Sequence, residues 1–190
     1  MTEIVRRTAD ALGTYAGVEG AFAVTSVLDV VPLDQGLGGL ALRERPVDSP
    51  WVKDYDAIPG EHPGEWATRF DPNGLVVLEA TDRGNRVGGA LAVVESAVFD
   101  FGGGRADVAV LWDVRVAATA RGAGVGRALL AEAALWARER GCRQLWAETQ
   151  TVNVAACRLY AHADYTLDLI DRHGYPMLPG EGRLVWRKAL

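Results

Sequence analysis

A chain of 190 residues, 49% hydrophobic and 24% charged, has the size and composition of one globular domain with a sizeable core. No run approaches the roughly 18 uncharged apolar residues that a membrane-spanning helix needs, and no membrane partner is expected. The net charge of −5 argues against nucleic acid and allows a cationic substrate.

Residues 1–13 mix Glu3, Arg6, Arg7 and Asp10 with apolar positions, unlike the continuous apolar segment of a secretory leader. Cys142 and Cys157 are the only cysteines, too few for a disulfide framework, so a cytoplasmic location is expected. Together with His62, His162 and His173 they show no metal-ligand spacing, and no metal is expected.

In chain order, Ile4, Val5, Ala9 and Leu12 recur at roughly helical spacing and predict a short amphipathic helix over residues 2–15, appended within 1–20 to a domain spanning 1–190. Residues 21–31 read as a strand closed by Pro32, and 38–45 as a second. An irregular stretch at 46–72 holds five of the eight prolines, with a short helix around 61–70. A hairpin follows, strands 75–80 and 86–94 around Asp82-Arg83-Gly84-Asn85.

Residues 107–116 form a further strand. Residues 121–141 form a helix with Val125, Leu129, Ala133, Trp136 and Ala137 on one face and Gly141 as its stop. A strand at 143–148, a short helix at 153–163 and closing strands at 165–170 and 184–189 complete the chain. A meander followed by strand–helix–strand–helix predicts an α/β fold with a mixed sheet.

The stretch TARGAGVGRALL, residues 119–130, turns from alternating glycines into a helix. Glycines ahead of a helix allow main-chain N–H groups to approach an anion. A P-loop would need a different spacing and a lysine, and a dinucleotide fingerprint would need Gly-x-Gly-x-x-Gly in a βαβ start; neither is present. A tight strand–helix corner is the structural alternative.

The run Val116-(four residues)-Arg121-Gly122-x-Gly124-x-Gly126 resembles the coenzyme A loop of the GNAT superfamily of N-acetyltransferases. A second block, ETQTVNVAACRLYAHADY at 148–165, carries Asn153, Ala156 and Tyr160 in the order that superfamily uses. The resemblance implies an α/β (α+β) fold: a mixed, mostly antiparallel central sheet, splayed at the acyl-CoA site and flanked by helices. It implies acetyl-CoA as co-substrate, bound by Val114, Val116, Arg121, Gly122, Ala123, Gly124, Val125, Gly126, Arg127, Ala128, Asn153, Ala156 and Tyr160. By the same resemblance Tyr160 is the general acid to the departing thiolate, and Asn153 touches the pantetheine arm or orders the loop. As ordinary structure, Tyr160 would be a core aromatic and Asn153 an N-cap.

Where the superfamily places Gly-Phe after the tyrosine, this chain has Asp164-Tyr165; aspartate tolerates the left-handed conformation better than most residues. The helix block and the upstream SPWVKDYD, residues 49–56, resemble the streptothricin acetyltransferases, which implies a primary amine on a small cationic acceptor. Asp168-Leu169 stands where those enzymes carry Gly-Gly.

Such an acceptor calls for carboxylates, and Asp54, Asp56, Asp113 and Glu148 are the candidates. Direct attack needs a base, for which Asp113 and Glu148 are considered. The N–H near Val116 would polarise the thioester carbonyl. Cys142 and Cys157 read as buried thiols rather than nucleophiles. Trp51, Tyr55 and Trp66 either form an aromatic wall or simply pack. An acyl-CoA-binding protein without turnover and an acetylase of peptide amines are the alternatives, and either a monomer or a homodimer is expected.

Overall fold

The computed structural model describes residues 2–94 and 104–190. The chain forms two compact units. Residues 2–21, 54–147 and 188–190 make the first; residues 22–53 and 148–187 make the second. No helix among the described residues is long and apolar enough to cross a membrane.

The first unit is built on strands β1 (Glu3–Arg7), β4 (Leu75–Asp82), β5 (Asn85–Val93), β6 (Val108–Val116) and the start of β7 (Gln144–Gln150), adjacent in that order. The first three junctions are antiparallel, and β6 runs parallel to β7 from Val108↔Gln144 to Leu111↔Ala147. A parallel junction needs a crossover, supplied by helix α2 (Val125–Glu139). The face of α2 expected from its periodicity is buried, Leu129, Ala133 and Ala137 completely.

The opposite face carries the short helix α1 (Leu12–Tyr15) and a 3₁₀ turn at Pro63–Thr68. Their Leu12, Tyr15 and Trp66 pack with Phe70, Leu91, Val93 and Val110. Two adjacent glycines of β5 let both layers close on the sheet. A Cβ on Gly88 would lie 3.1 Å from Val125 of α2, and one on Gly89 would lie 2.7 Å from the Tyr15 ring.

The second unit contains an antiparallel ribbon of β2 (Phe22–Pro32) and β3 (Leu40–Lys53), helix α3 (Val154–Ala161), and the antiparallel pair β8 (Thr166–Asp171) and β9 (Arg183–Ala189). Val24, Val154, Cys157, Tyr160, Tyr165, Leu184 and Trp186 are buried here. The sheet is mixed and mostly antiparallel with flanking helices, as the sequence led one to expect.

Three expectations need correction. Residues 2–15 are not one helix: β1 occupies Glu3–Arg7 and helix is confined to a 3₁₀ turn at Ala9–Ala11 and to α1. Ile4 and Val5 are β-branched, and pairing with β4 satisfies a whole row of backbone groups that a Gly13-weakened helix would hold poorly. The stretch at 46–72 is less irregular than its prolines suggest, because β3 continues to Lys53. Its register jumps from Ser26↔Pro46 to Val24↔Trp51, so Pro50 falls in the looped-out residues and no ladder donor is demanded there. Finally, α2 begins at Val125 rather than Arg121, since Gly122 and Gly124 hold φ of +80° and +84°.

Candidate active site

The glycine loop lies in the first unit, between β6 and α2. After Val116 the chain makes a 3₁₀ turn at Ala118–Ala120 and extends through Arg121. It then passes through the two left-handed glycines into the helix. A Cβ on Gly122 or Gly124 would meet no atom within 4 Å, so glycine is demanded there by backbone angle and not by crowding within the protein. Arg121 Nε donates to the Val116 carbonyl at 3.2 Å and ties the loop back to β6.

Gly124 offers no side-chain cap, and the first turn of α2 carries no acidic residue. The N–H groups of Val125, Gly126 and Arg127 therefore point out of the helix start with the positive end of its dipole. That donor set fits a pyrophosphate.

On β6 the pairing with β5 slips between Leu91↔Asp113 and Ala92↔Leu111, leaving Trp112 as the extra residue of a bulge. Beyond the bulge Asp113 and Arg115 share a face, as residues two apart in a strand must. Arg115 Nε donates to Asp113 Oδ2 at 2.5 Å, and its two terminal nitrogens donate to Asp56 at 2.8 and 2.7 Å. The Tyr15 hydroxyl donates to Asp113 at 3.0 Å. The guanidinium also stands over the Tyr15 and Trp66 rings, 5.4 and 5.7 Å from their centroids.

Arg115 is 4% exposed, so its charge needs these partners. Burial pushes the Asp113 carboxyl above its ordinary range, opposed by Arg115 and Tyr15, and it pushes the Tyr15 hydroxyl far higher. Asp54 Oδ1 accepts from the Asp56 N–H at 3.0 Å in a local turn. Asp56 and Asp113 are thus brought together by a buried cation of the chain itself. Sequence reasoning missed that cation, although the alternation in Trp112-Asp113-Val114-Arg115-Val116 could have pointed to it.

The three aromatic residues of the expected wall are divided between the units, Tyr55 and Trp66 in the first and Trp51 in the second. Trp66 is 2% exposed and packs edge-on to Trp112 at 6.2 Å, whereas Trp51 is an exposed residue of β3 in the other unit.

In the second unit Asn153 caps α3, its Oδ1 accepting from the Ala156 N–H at 3.0 Å; this explains the spacing of those two residues. Tyr160 lies on the buried side of α3, its ring 5.5 Å from Tyr165 and 6.0 Å from Trp186. Asp164 takes φ of +61° at the turn after the helix, a left-handed conformation that aspartate tolerates better than most residues. Asp168 is the extra residue of a bulge in β8 and is held by Arg187 at 2.6 Å.

Glu148, half-buried on β7, accepts from the Tyr175 hydroxyl at 2.5 Å. No signal in the sequence announced Tyr175. Both cysteines are buried, and burial raises both thiols, Cys157 to about 12, which disfavours the thiolate form.

Comparisons with known proteins show the family. The model of the acetyltransferase (GNAT) family matches residues 43–165. The chain is 30% identical to a streptothricin acetyltransferase of Streptomyces lavendulae over 87% of its own length and 82% of that protein's. It is 31% identical to a streptothricin acetyltransferase of Escherichia coli, over 88% and 85% of the two chains. Among solved structures, a nourseothricin acetyltransferase superposes with a TM-score of 0.73 at 26% identity, covering 99% of this chain and 98% of that one. A Bacillus anthracis str. Ames protein solved in complex with acetyl coenzyme A gives 0.77 over the whole of both chains; at 19% identity it shows the fold alone. The chain belongs to the acetyltransferase (GNAT) family and is an acetyl-CoA-dependent N-acetyltransferase.

Proposed function

We propose that this enzyme acetylates a primary amine of a small cationic acceptor of the streptothricin class. The observation that carries the reading is the identity of 30–31% to streptothricin acetyltransferases over more than four-fifths of each chain. Such an activity would inactivate an antibiotic, and a cytoplasmic enzyme would suit it.

The assigned roles follow from chemistry and from the family pattern. Bound acetyl-CoA supplies an activated thioester. The N–H groups of Val125, Gly126 and Arg127 hold its pyrophosphate, with Arg121, Gly122, Ala123, Gly124 and Ala128 shaping that corner. The backbone of Val114 and Val116 orients the acyl arm and polarises its carbonyl, and Asn153 and Ala156 line the pantetheine. Glu148 takes a proton from the acceptor ammonium, and the amine lone pair then forms the C–N bond as the C–S bond breaks. Tyr160 delivers a proton to the leaving thiolate; a phenol of pKa about 10 suits that task. The second proton lost by nitrogen passes to solvent. Asp113 is the weaker candidate for base, because it is already paired with the buried Arg115 guanidinium.

Thiol release from acetyl-CoA, measured against nourseothricin, linear polyamines, amino acids and peptides, tests the acceptor class. The polycationic antibiotic should give the highest kcat/KM, by roughly 100-fold over a peptide amine, the scale on which a charge-matched site discriminates. A neutral, acidic or peptide acceptor with the highest kcat/KM overturns the reading.

A further inference from the structure

We propose that Tyr175 is a positioning residue for acetyl transfer, a role that rests on Glu148 being the base. Its hydroxyl donates to Glu148 Oε1 at 2.5 Å across 27 residues of sequence. Hydrogen bonds from a hydroxyl to a carboxylate are short and roughly twice as strong as those between neutral groups. One such bond sets the rotation of the carboxylate, and with it the oxygen that meets the acceptor's proton.

The segment that carries Tyr175, residues 172–182, is braced along its length. Asp171 Oδ1 accepts from the His173 N–H at 2.9 Å, and Gly174 passes so close to β9 that a Cβ there would sit 2.5 Å from that of Arg183. Two turns follow, from Tyr175 to Leu178 at 2.9 Å and from Leu178 to Glu181 at 3.1 Å. Glu181 then accepts from Lys53 Nζ at 2.7 and 3.0 Å, a pair only 10% and 15% exposed at its side chains. Gly182 exchanges two hydrogen bonds with Thr151, each 2.9 Å, three residues beyond Glu148 on the same stretch of chain. A mere surface loop has no need of a buried ion pair. This one holds a phenol against a specific carboxylate, and the bond is preorganised before any acceptor arrives.

A double-mutant cycle separates positioning from packing. Tyr175→Phe, Glu148→Gln and the double variant are assayed with acetyl-CoA and the acceptor of highest kcat/KM from the panel, each variant first checked by its thermal melt. Tyr175→Phe keeps the ring. It should lower kcat about 10-fold with KM for acetyl-CoA unchanged. In the Glu148→Gln background the same change should alter kcat by less than about twofold, because the group it acts through is gone. An equal loss in both backgrounds overturns the proposal, as does wild-type kcat for Tyr175→Phe beside an impaired Glu148→Gln. Wild-type kcat for Glu148→Gln removes the base itself, a separate failure that takes the role of Tyr175 with it.

Discussion

Tyr160 is a core side chain to which the proposed mechanism also assigns a proton. It is 4% exposed and lies among Tyr165 and Trp186, so its ring would be retained in this fold whatever its hydroxyl did. Phenylalanine preserves the ring's packing and deletes the hydroxyl. Tyr160→Phe should therefore fold normally and lower kcat roughly 10- to 1000-fold, with KM for acetyl-CoA nearly unchanged, since the lost interaction exists only in the transition state. An unchanged kcat in steady-state assays would show that water protonates the thiolate. The carboxylates teach the opposite lesson. Asp56 and Asp113 looked available for a cation, and each is already held by Arg115 inside the first unit. Charge counted along a sequence says nothing of internal neutralisation, which depends on a bulge at Trp112 that no local pattern announces.

At the level of elements, the helix N-terminus at Gly124 separates two kinds of glycine. Gly122 and Gly124 are fixed by positive φ, and replacing either strains the backbone before any ligand is considered. Gly126 is different, because it lies inside the regular helix that starts at Val125. A valine there costs the helix nothing relative to glycine by propensity, yet adds a branched side chain beside the proposed pyrophosphate donors. Gly126→Val should melt within a few degrees of the parent and bind coenzyme A at least roughly 100-fold more weakly by calorimetry, the loss of several charge-assisted hydrogen bonds. Near-native affinity in that folded variant would remove the phosphate-loop assignment. The same helix marks how far the fold was legible. Its buried face, the hairpin across Asp82–Asn85 and the strand at 108–116 follow from periodicity and turn chemistry. The first fifteen residues did not, because a weak helical spacing was outweighed by a strand partner some seventy residues away. The hold of Tyr175 on Glu148 was hidden for the same reason, since it forms only when β8 and β9 pair and the segment between them is braced.

Over the whole molecule, 25 acidic against 20 basic side chains give a net charge of −5, and that imbalance bears on how each substrate arrives. A polycationic acceptor is drawn toward a negative protein over distances set by the ionic atmosphere, about 30 Å at 0.01 M salt and about 8 Å at 0.15 M. Acetyl-CoA is a polyanion and is repelled by the same net charge, but Arg121 and Arg127 stand at the proposed pyrophosphate corner and offset that repulsion locally. The two substrates should then respond to salt with different signs. Raising potassium chloride from about 10 to about 150 mM should lower kcat/KM for the polycationic acceptor by roughly 10-fold, while kcat/KM for acetyl-CoA stays level or rises. A monocationic acceptor of similar size should lose far less, because the steering energy scales with the charge it carries. Initial rates at limiting acceptor, repeated at limiting acetyl-CoA across the same salt series, measure both responses. A polycation whose kcat/KM is flat or rises with salt would show that the acceptor is recognised by shape and apolar contact, and that the protein's acidic balance plays no part in its capture.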